Sequence, residues 1–247
     1  MKNILFLDLG NSLLKIGYFN NKNELIIDKL PTKSLTKWNL NKYFKNLIAK
    51  GYTFNDALLS SVNYDKSKVV QKVLKKHKVN LQNINHEMFK NEVYGHGEIT
   101  LDEVGTDILL TSYYMAKNYY SGFVVSFGTA TVITKIENKT LKGVIIAPGI
   151  KNSMESLFSN AFLLNQVELN YELSDILATN TKDAISSGII KGNYFMIQGF
   201  LNALNHDNLP VLFTGGNLSF LKNEITVNIV EEMVIKSMIL LYENLNK

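Results

Sequence analysis

Two well-separated stretches of this chain follow one plan. FLDLGNSLLKIGYF (6–19) and VVSFGTATVITKI (124–136) both run as an apolar strand, a turn of the form x-Gly-Asn or x-Gly-Thr, and a second strand. Each is followed by a third strand and then by helical patterns, the signature of an internal duplication. A chain built this way is confined to α/β architecture with two related halves, expected at 1–115 and 116–247.

The hydrophobic periodicity fills in the plan. In the first half, strands are expected at 3–8, 13–19, 24–30 and 57–61, with helices at 35–49, 66–76 and 106–120. In the second half, strands are expected at 123–127, 130–136, 141–147 and 211–214. Helices are expected there at 151–164, 182–204 and 227–244.

Composition removes whole classes of function. The 247 residues are 46% hydrophobic and 19% charged, with 3 Pro and no Cys. The apolar fraction excludes a disordered chain. The absence of Cys excludes disulfides, iron–sulfur clusters, thiolate zinc sites and cysteine nucleophiles, and a reducing cytoplasm is the natural location. No stretch approaches the ~18 apolar residues of a membrane span, and Asp8 and Asn11 interrupt the apolar start that resembles a signal peptide. The formal net charge is +4, and all 26 basic residues are Lys. Sequence-specific nucleic-acid readers rely on Arg forks, so a nucleic-acid partner is not expected. The Lys-rich run 66–78 reads as the solvated face of an amphipathic helix. His77, His86, His96 and His206 show no metal-ligand spacing. His96, in the Gly95–Gly97 stretch, reads as a surface loop residue.

Three glycine turns at strand ends could carry chemistry. In Asp8-Leu9-Gly10-Asn11-Ser12, the Gly allows close backbone approach to an anion. Asp8 could hold Mg²⁺ through water, and Lys15 could meet phosphate as a point charge. Ser126-Phe127-Gly128-Thr129-Ala130-Thr131 offers small hydroxyl residues around a Gly. Thr214-Gly215-Gly216-Asn217 places a Gly pair between a buried strand and a helix, where a nucleotide can lie against backbone. Each is also compatible with plain turn geometry. Asp107, at the head of a helix, is placed either as a general base for a hydroxyl or as a first-turn partner of the helix dipole. Thr181 reads as the N-cap of the following helix.

Taken in order, LDLGNSLLK (7–15), SSV (60–62), VGTDILL (104–110), SFGTATVIT (126–134), KGVIIAPG (142–149), NTKDAISSGI (180–189) and FTGGN (213–217) resemble the type III pantothenate kinases. These belong to the acetate kinase/sugar kinase/Hsp70/actin superfamily. The resemblance implies two duplicated RNase H-like (actin-like ATPase) domains with a nucleotide cleft between them, and a homodimer that completes the pantothenate site. It implies ATP-dependent phosphorylation of pantothenate to 4′-phosphopantothenate, the first step of coenzyme A biosynthesis, with Mg²⁺ at Asp8. By position, Asp8, Leu9, Gly10, Asn11, Ser12, Leu13, Leu14 and Lys15 match the phosphate motif, and Thr129, Gly215 and Gly216 match further ATP contacts. Asp107 matches the catalytic base. Gly105, Thr106, Asp107 and Ile108 occupy the substrate motif, and Thr181 matches a pantothenate contact from the second subunit.

The chain departs from that pattern in the acceptor and cation motifs. Ile108 stands where the family has an Arg that contacts substrate. Ser126 stands where it has an Asp that binds a monovalent cation (K⁺ or NH₄⁺), leaving that site without its carboxylate. Val144 replaces a motif Gly. Two other readings therefore stay open at this level. One is a relative that keeps the fold and acts as an accessory or regulatory protein. The other is a kinase of a different small hydroxyl compound.

Overall fold

In the computed structural model of the chain, residues 3–94, 99–100, 103–160, 167–173 and 175–246 are described. His96 and the end of the helix expected at 151–164 lie outside them. Backbone contacts group Met1–Gly95, Thr100–Tyr114 and Val234–Lys247 into one compact unit and most of the remainder, Met115–Met233, into a second. The last segment, which a simple cut at residue 115 assigns to the second half, thus packs with the first.

In the first unit, β1 (Ile4–Leu9) is apolar in five of its six residues, ILFLDL, and all but Asp8 are buried. Such a run suits only a central strand covered on both faces. β2 (Leu13–Phe19) pairs antiparallel on one side of it, and β3 (Leu25–Pro31) extends that meander. On the other side β4 (Asp56–Ser61) pairs parallel, followed by β5 (Asn80–Asn83), giving the order β3-β2-β1-β4-β5.

The period of two along β1 divides its side chains between the sheet's faces. Leu5, Leu7 and Leu9 join a core with Leu40, Phe44 and Leu47 of α1 (Lys37–Ala49) and with Val70, Val73 and Leu74 of α2 (Tyr64–Lys76). On the opposite face, the Phe6 ring meets Tyr242 of the C-terminal helix edge-on at 6.1 Å. Both α1 and α2 have side-chain N-caps. Thr36 and Asn39 form a reciprocal capping box, and Asn63 accepts from the Lys66 N–H. The Lys-rich run lies on α2 and its end, where Lys68, Lys72, Lys75, Lys76 and Lys78 are exposed, as the helical spacing predicts.

The second unit repeats the pattern. β6 (Gly122–Phe127), β7 (Ala130–Glu137) and β8 (Thr140–Pro148) form the antiparallel meander, and β9 (Val211–Thr214) lies parallel to β6, giving the order β8-β7-β6-β9. β1 and β6 share one burial pattern, in which only the fifth residue is half-exposed: Asp8 in the first and Ser126 in the second. The expected duplication is therefore present residue for residue at the central strands.

Helices differ more from expectation. α3 (Thr106–Tyr119) and α4 (Ile150–Asn160) fall where expected as far as they are described. The helix expected at 182–204 is three pieces: α5 (Thr181–Ser186), a π-helical turn at Ser187–Lys191 and α6 (Gly192–Leu204). α7 (Met233–Leu245) begins later than expected. Ile229 bridges Phe213, and Asn228 and Glu232 have φ of 57° and 52°, so the chain cannot be helical before Met233.

Gly215 has φ +107°, and a Cβ there would lie 2.6 Å from the Phe127 nitrogen and 2.7 Å from its carbonyl carbon. At Gly216 a Cβ would meet nothing within 4 Å. Gly215→Ala should therefore lose about 3 kcal/mol or more of stability, while Gly216→Ala stays within about 0.5 kcal/mol of wild type by chemical denaturation.

Candidate active site

In the first unit, the site is assembled where the central strands end, the usual place for ligands in open α/β sheets. Parallel pairing sets Asp8 beside Ser60 and Leu9 beside Ser61; antiparallel pairing sets Asp8 opposite Lys15. The Lys15 ammonium lies 4.0 Å from the Asp8 carboxylate, and both side chains are 15% exposed. A hairpin turn joins the two strands, closed by the Gly10 N–H donating to the Leu13 carbonyl at 3.0 Å. Thr32 fixes it from β3's end, its hydroxyl donating to the Gly10 carbonyl (2.9 Å) and its N–H to the Ser12 carbonyl (2.9 Å). Asn11 and Ser12 stand exposed at the tip. Leu9 and Leu14 are fully buried, so only their backbone is on offer to a phosphate.

The same strand ends reach the head of α3. The Ser60 and Thr106 hydroxyls are 2.8 Å apart. Asp107 follows in the first turn, half-buried, its carboxylate drawn to the N–H groups of Ile108 and of Asp107 itself. A Cβ at Gly105 would lie 2.5 Å from Asp107 Oδ1, so the carboxylate folds back over the Gly, and a side chain there would have to displace it. One Asp107 oxygen thus sits over the chain leading into its own helix. Burial pushes the Asp107 carboxyl above the ordinary aspartate value, against the weaker pull of those two N–H groups. Ile108 is half-buried beside it, and Thr111 donates to the carbonyls of Asp107 and Ile108 (3.1 and 3.0 Å).

In the second unit, three strand-end turns converge through backbone. Gly149 donates to the Thr129 carbonyl at 3.1 Å, and Asn217 donates its side-chain N–H to the Gly128 carbonyl at 2.7 Å and its backbone N–H to Phe127 at 3.0 Å. Thr129 and Gly216 are exposed on this platform, and Gly215 is half-exposed. Ser126 pairs with Thr214 on the parallel side and Val132 on the antiparallel side. Its neighbours bring no carboxylate, so the residues present do not fit a carboxylate-based monovalent-cation site.

Thr181 is the first residue of α5 rather than its cap. Asn180 is the cap, its side chain accepting from the Asp183 N–H at 3.0 Å and donating to the Asp183 carboxylate at 2.7 Å. Thr181 is exposed beside an open cavity of about 770 Å³ lined by Ser153, Leu157, Asn180, Ile185 and Ile189 among others.

Comparison with known proteins decides the lineage. The family model described as type III pantothenate kinase matches residues 4–203. The chain belongs to that family. It is 36% identical over 236 residues to the type III pantothenate kinase of Mycoplasma mobile, covering 94% of this chain and 95% of the relative. It is 30% identical over 244 residues to that of Mycoplasmopsis synoviae, covering 96% and 95%. Among solved structures, a Campylobacter jejuni protein titled as a Baf family transcriptional activator superposes with a TM-score of 0.61 at 21% identity, covering 98% of this chain and all (100%) of that one. A Sinorhizobium meliloti protein titled as a 2-dehydro-3-deoxygalactonokinase gives 0.58 at 10% identity, covering 98% and 96%. These two likenesses establish the fold: duplicated domains of the actin-like ATPase and sugar kinase type. Asp8 and Lys15 on β1 and β2, and Asp107 at the head of α3, all belong to the first unit.

The sequence left Ser60, Thr32 and Asn63 out of the site. Ser60 lay inside the SSV match, and its alternation within a buried strand could have flagged it. Nothing in the sequence pointed to Thr32. Asn63 caps α2 and also donates to the Asn11 side chain at 3.4 Å.

The raised Asp107 pKa has a stability consequence. A carboxyl whose folded pKa lies above its unfolded one costs stability once it is ionised, and the cost vanishes below the unfolded value. Asp107→Asn should therefore melt higher than wild type at pH 8, and the difference should shrink as pH falls toward 4, measured by thermal unfolding across pH.

Proposed function

We propose that this kinase transfers the γ-phosphoryl group of ATP to the primary hydroxyl of pantothenate, giving 4′-phosphopantothenate and opening coenzyme A biosynthesis. The observation that carries the reading is the placing of Asp107. A carboxylate with its pKa raised by burial stands at a helix head, one hydrogen-bonded pair away from the end of β4, the strand beside Asp8. Phosphoryl transfer asks mainly for positioning and charge stabilisation. Asp107 accepts the proton from the acceptor hydroxyl as the bond to phosphorus forms. Lys15 offsets charge on the phosphates as a point cation, and the hairpin turn at Gly10–Ser12 presents its exposed tip to them. Thr129, Gly215 and Gly216 match nucleotide contacts of the family by position.

Mg²⁺ fits this donor set. It binds through one or two carboxylates together with substrate phosphates, and Asp8 supplies one such carboxylate, partly exposed at its strand end. Bound there through water with the nucleotide, the ion would neutralise charge developing on the transferred group. Ser126 gives no comparable support to a monovalent cation. In this reading Thr181, exposed at its cavity, contacts pantothenate from the second subunit of a homodimer. A cytoplasmic enzyme accords with the Cys-free chain, and among the described residues no helix is long and apolar enough to cross a membrane. Retention of Asp8, Lys15 and Asp107 supports catalysis over a purely accessory role.

Incubation with Mg-ATP and pantothenate should yield 4′-phosphopantothenate, identified by mass, and Asp107→Asn should lower kcat by about 10²-fold or more. No product from folded wild-type protein would sink the assignment. Because Asp107 works as the ionised base, activity should fall as pH drops through its raised pKa, placing the acid limb of the rate profile above the ordinary aspartate range. Exchange of K⁺ for Na⁺ should leave kcat within about twofold, since Ser126 carries no charge to hold the ion.

A further inference from the structure

We propose that Ser60 is a positioning residue for the transfer reaction, locking the head of α3, and with it Asp107, to the end of β4 beside Asp8. The proposal rests on the kinase reading of Asp107. Ser60 lies next to last in β4, DALLSS, where Ala57, Leu58 and Leu59 are each 1% exposed. Ser60 itself is 1% exposed. A hydroxyl at such a place must find a partner, because a buried polar group without one is costly. Its partner is the Thr106 hydroxyl at 2.8 Å, and either oxygen can donate.

The placement of this pair gives it its role. Ser60 is in parallel register with Asp8, so the two residues occupy neighbouring strands at the same level of the sheet. Thr106 immediately precedes Asp107 at the start of α3. The hydroxyl pair therefore joins β4, the strand beside the phosphate-motif strand, to the residue that precedes the base through one side-chain contact. A second tie holds the other side of the same turn, where a His86 ring nitrogen lies 2.9 Å from the Val104 carbonyl. Between the two ties stands Gly105, over which Asp107 Oδ1 folds, 2.5 Å from where a Cβ would lie. Val104–Thr106 is thus pinned at both ends around a residue of minimal bulk, and the Asp107 carboxylate takes its direction from that segment. Small displacements of a catalytic group are expensive in rate even when substrates still bind. Loss of the Ser60 hydroxyl should therefore appear in kcat and in the environment of Asp107, with binding left nearly intact.

Ser60→Ala, Ser60→Cys and Ser60→Thr separate the hydroxyl from its volume. Cys fills the space but is a weak hydrogen-bonding group, whereas Thr keeps the hydroxyl. We expect Ser60→Ala and Ser60→Cys to lower kcat about tenfold or more, with KM for ATP and pantothenate within about twofold, and Ser60→Thr to recover most of the loss. In nucleotide-free protein, the Asp107 carboxyl, followed by carbon-13 NMR and assigned with Asp107→Asn, should titrate at lower pH in Ser60→Ala and Ser60→Cys than in wild type, as water reaches a loosened carboxylate. Wild-type kcat in Ser60→Cys, or a loss that tracks melting temperature equally in Ser60→Cys and Ser60→Thr, would overturn the proposal. So would an Asp107 titration unchanged in Ser60→Ala and Ser60→Cys. The titration needs no turnover, so if wild-type protein fails to phosphorylate pantothenate, the kinase reading falls and the NMR arm still decides whether Ser60 positions Asp107.

Discussion

The parallel pairing of β1 with β4 is the constraint on which the first unit depends. β1 has neighbours on both edges and apolar cover on both faces, so it can carry a polar side chain only where cover runs out, at its carboxyl end. β4 stops at the same level, with Ser60 beside Asp8. Chemistry is thereby confined to one rim of the sheet. The antiparallel partner adds Lys15 to that rim, because register places it opposite Asp8. A slip of one residue in either pairing would turn these side chains to the other face.

The duplication makes the division of labour visible. Asp8 and Ser126 hold equivalent places in two strands with one burial pattern, yet only the first keeps a charge. The turns differ as well. Gly10 closes onto Leu13, whereas Gly128 closes onto Ala130, so the first turn has the longer tip and presents an Asn and a Ser. The second unit instead packs its turns tightly through backbone. Gly149 and Gly215 each sit where a Cβ would strike main-chain atoms of the β6–β7 turn. The first turn thus carries exposed polar side chains, whereas the second is packed through backbone.

Much of this was legible because buried central strands and glycine turns leave strong marks in a sequence. β5 was not, since NLQN has no apolar alternation; it is a strand only because β4 offers it an edge to pair with. The division of the 182–204 region also escaped notice. Its apolar residues continue through Ser187–Lys191 without a break, and a π-helical turn changes the hydrogen-bonding pattern without changing composition. Asn180, not Thr181, holds the cap position, where both its side-chain oxygen and its nitrogen find Asp183. The site itself was half legible. Motif residues announced themselves, but the hydroxyl that ties them together, Ser60, looked like any small residue at a strand end.

At Asp107 opposing forces act on one carboxyl. A carboxylate in the first turn of a helix is ordinarily stabilised in its charged form, and here two N–H groups act in that direction. Left alone, they would make it a poor proton acceptor. Burial works the other way and prevails, raising its basicity. That balance requires a carboxylate withdrawn from water yet turned along the chain rather than out from the helix. Gly105 creates the space, and the ties at Val104 and Thr106 keep it from collapsing. The cost of holding an ionised group in this position is a local loss of stability. The apolar packing of β1 against α1, α2 and α7 is what allows the first unit to sustain it.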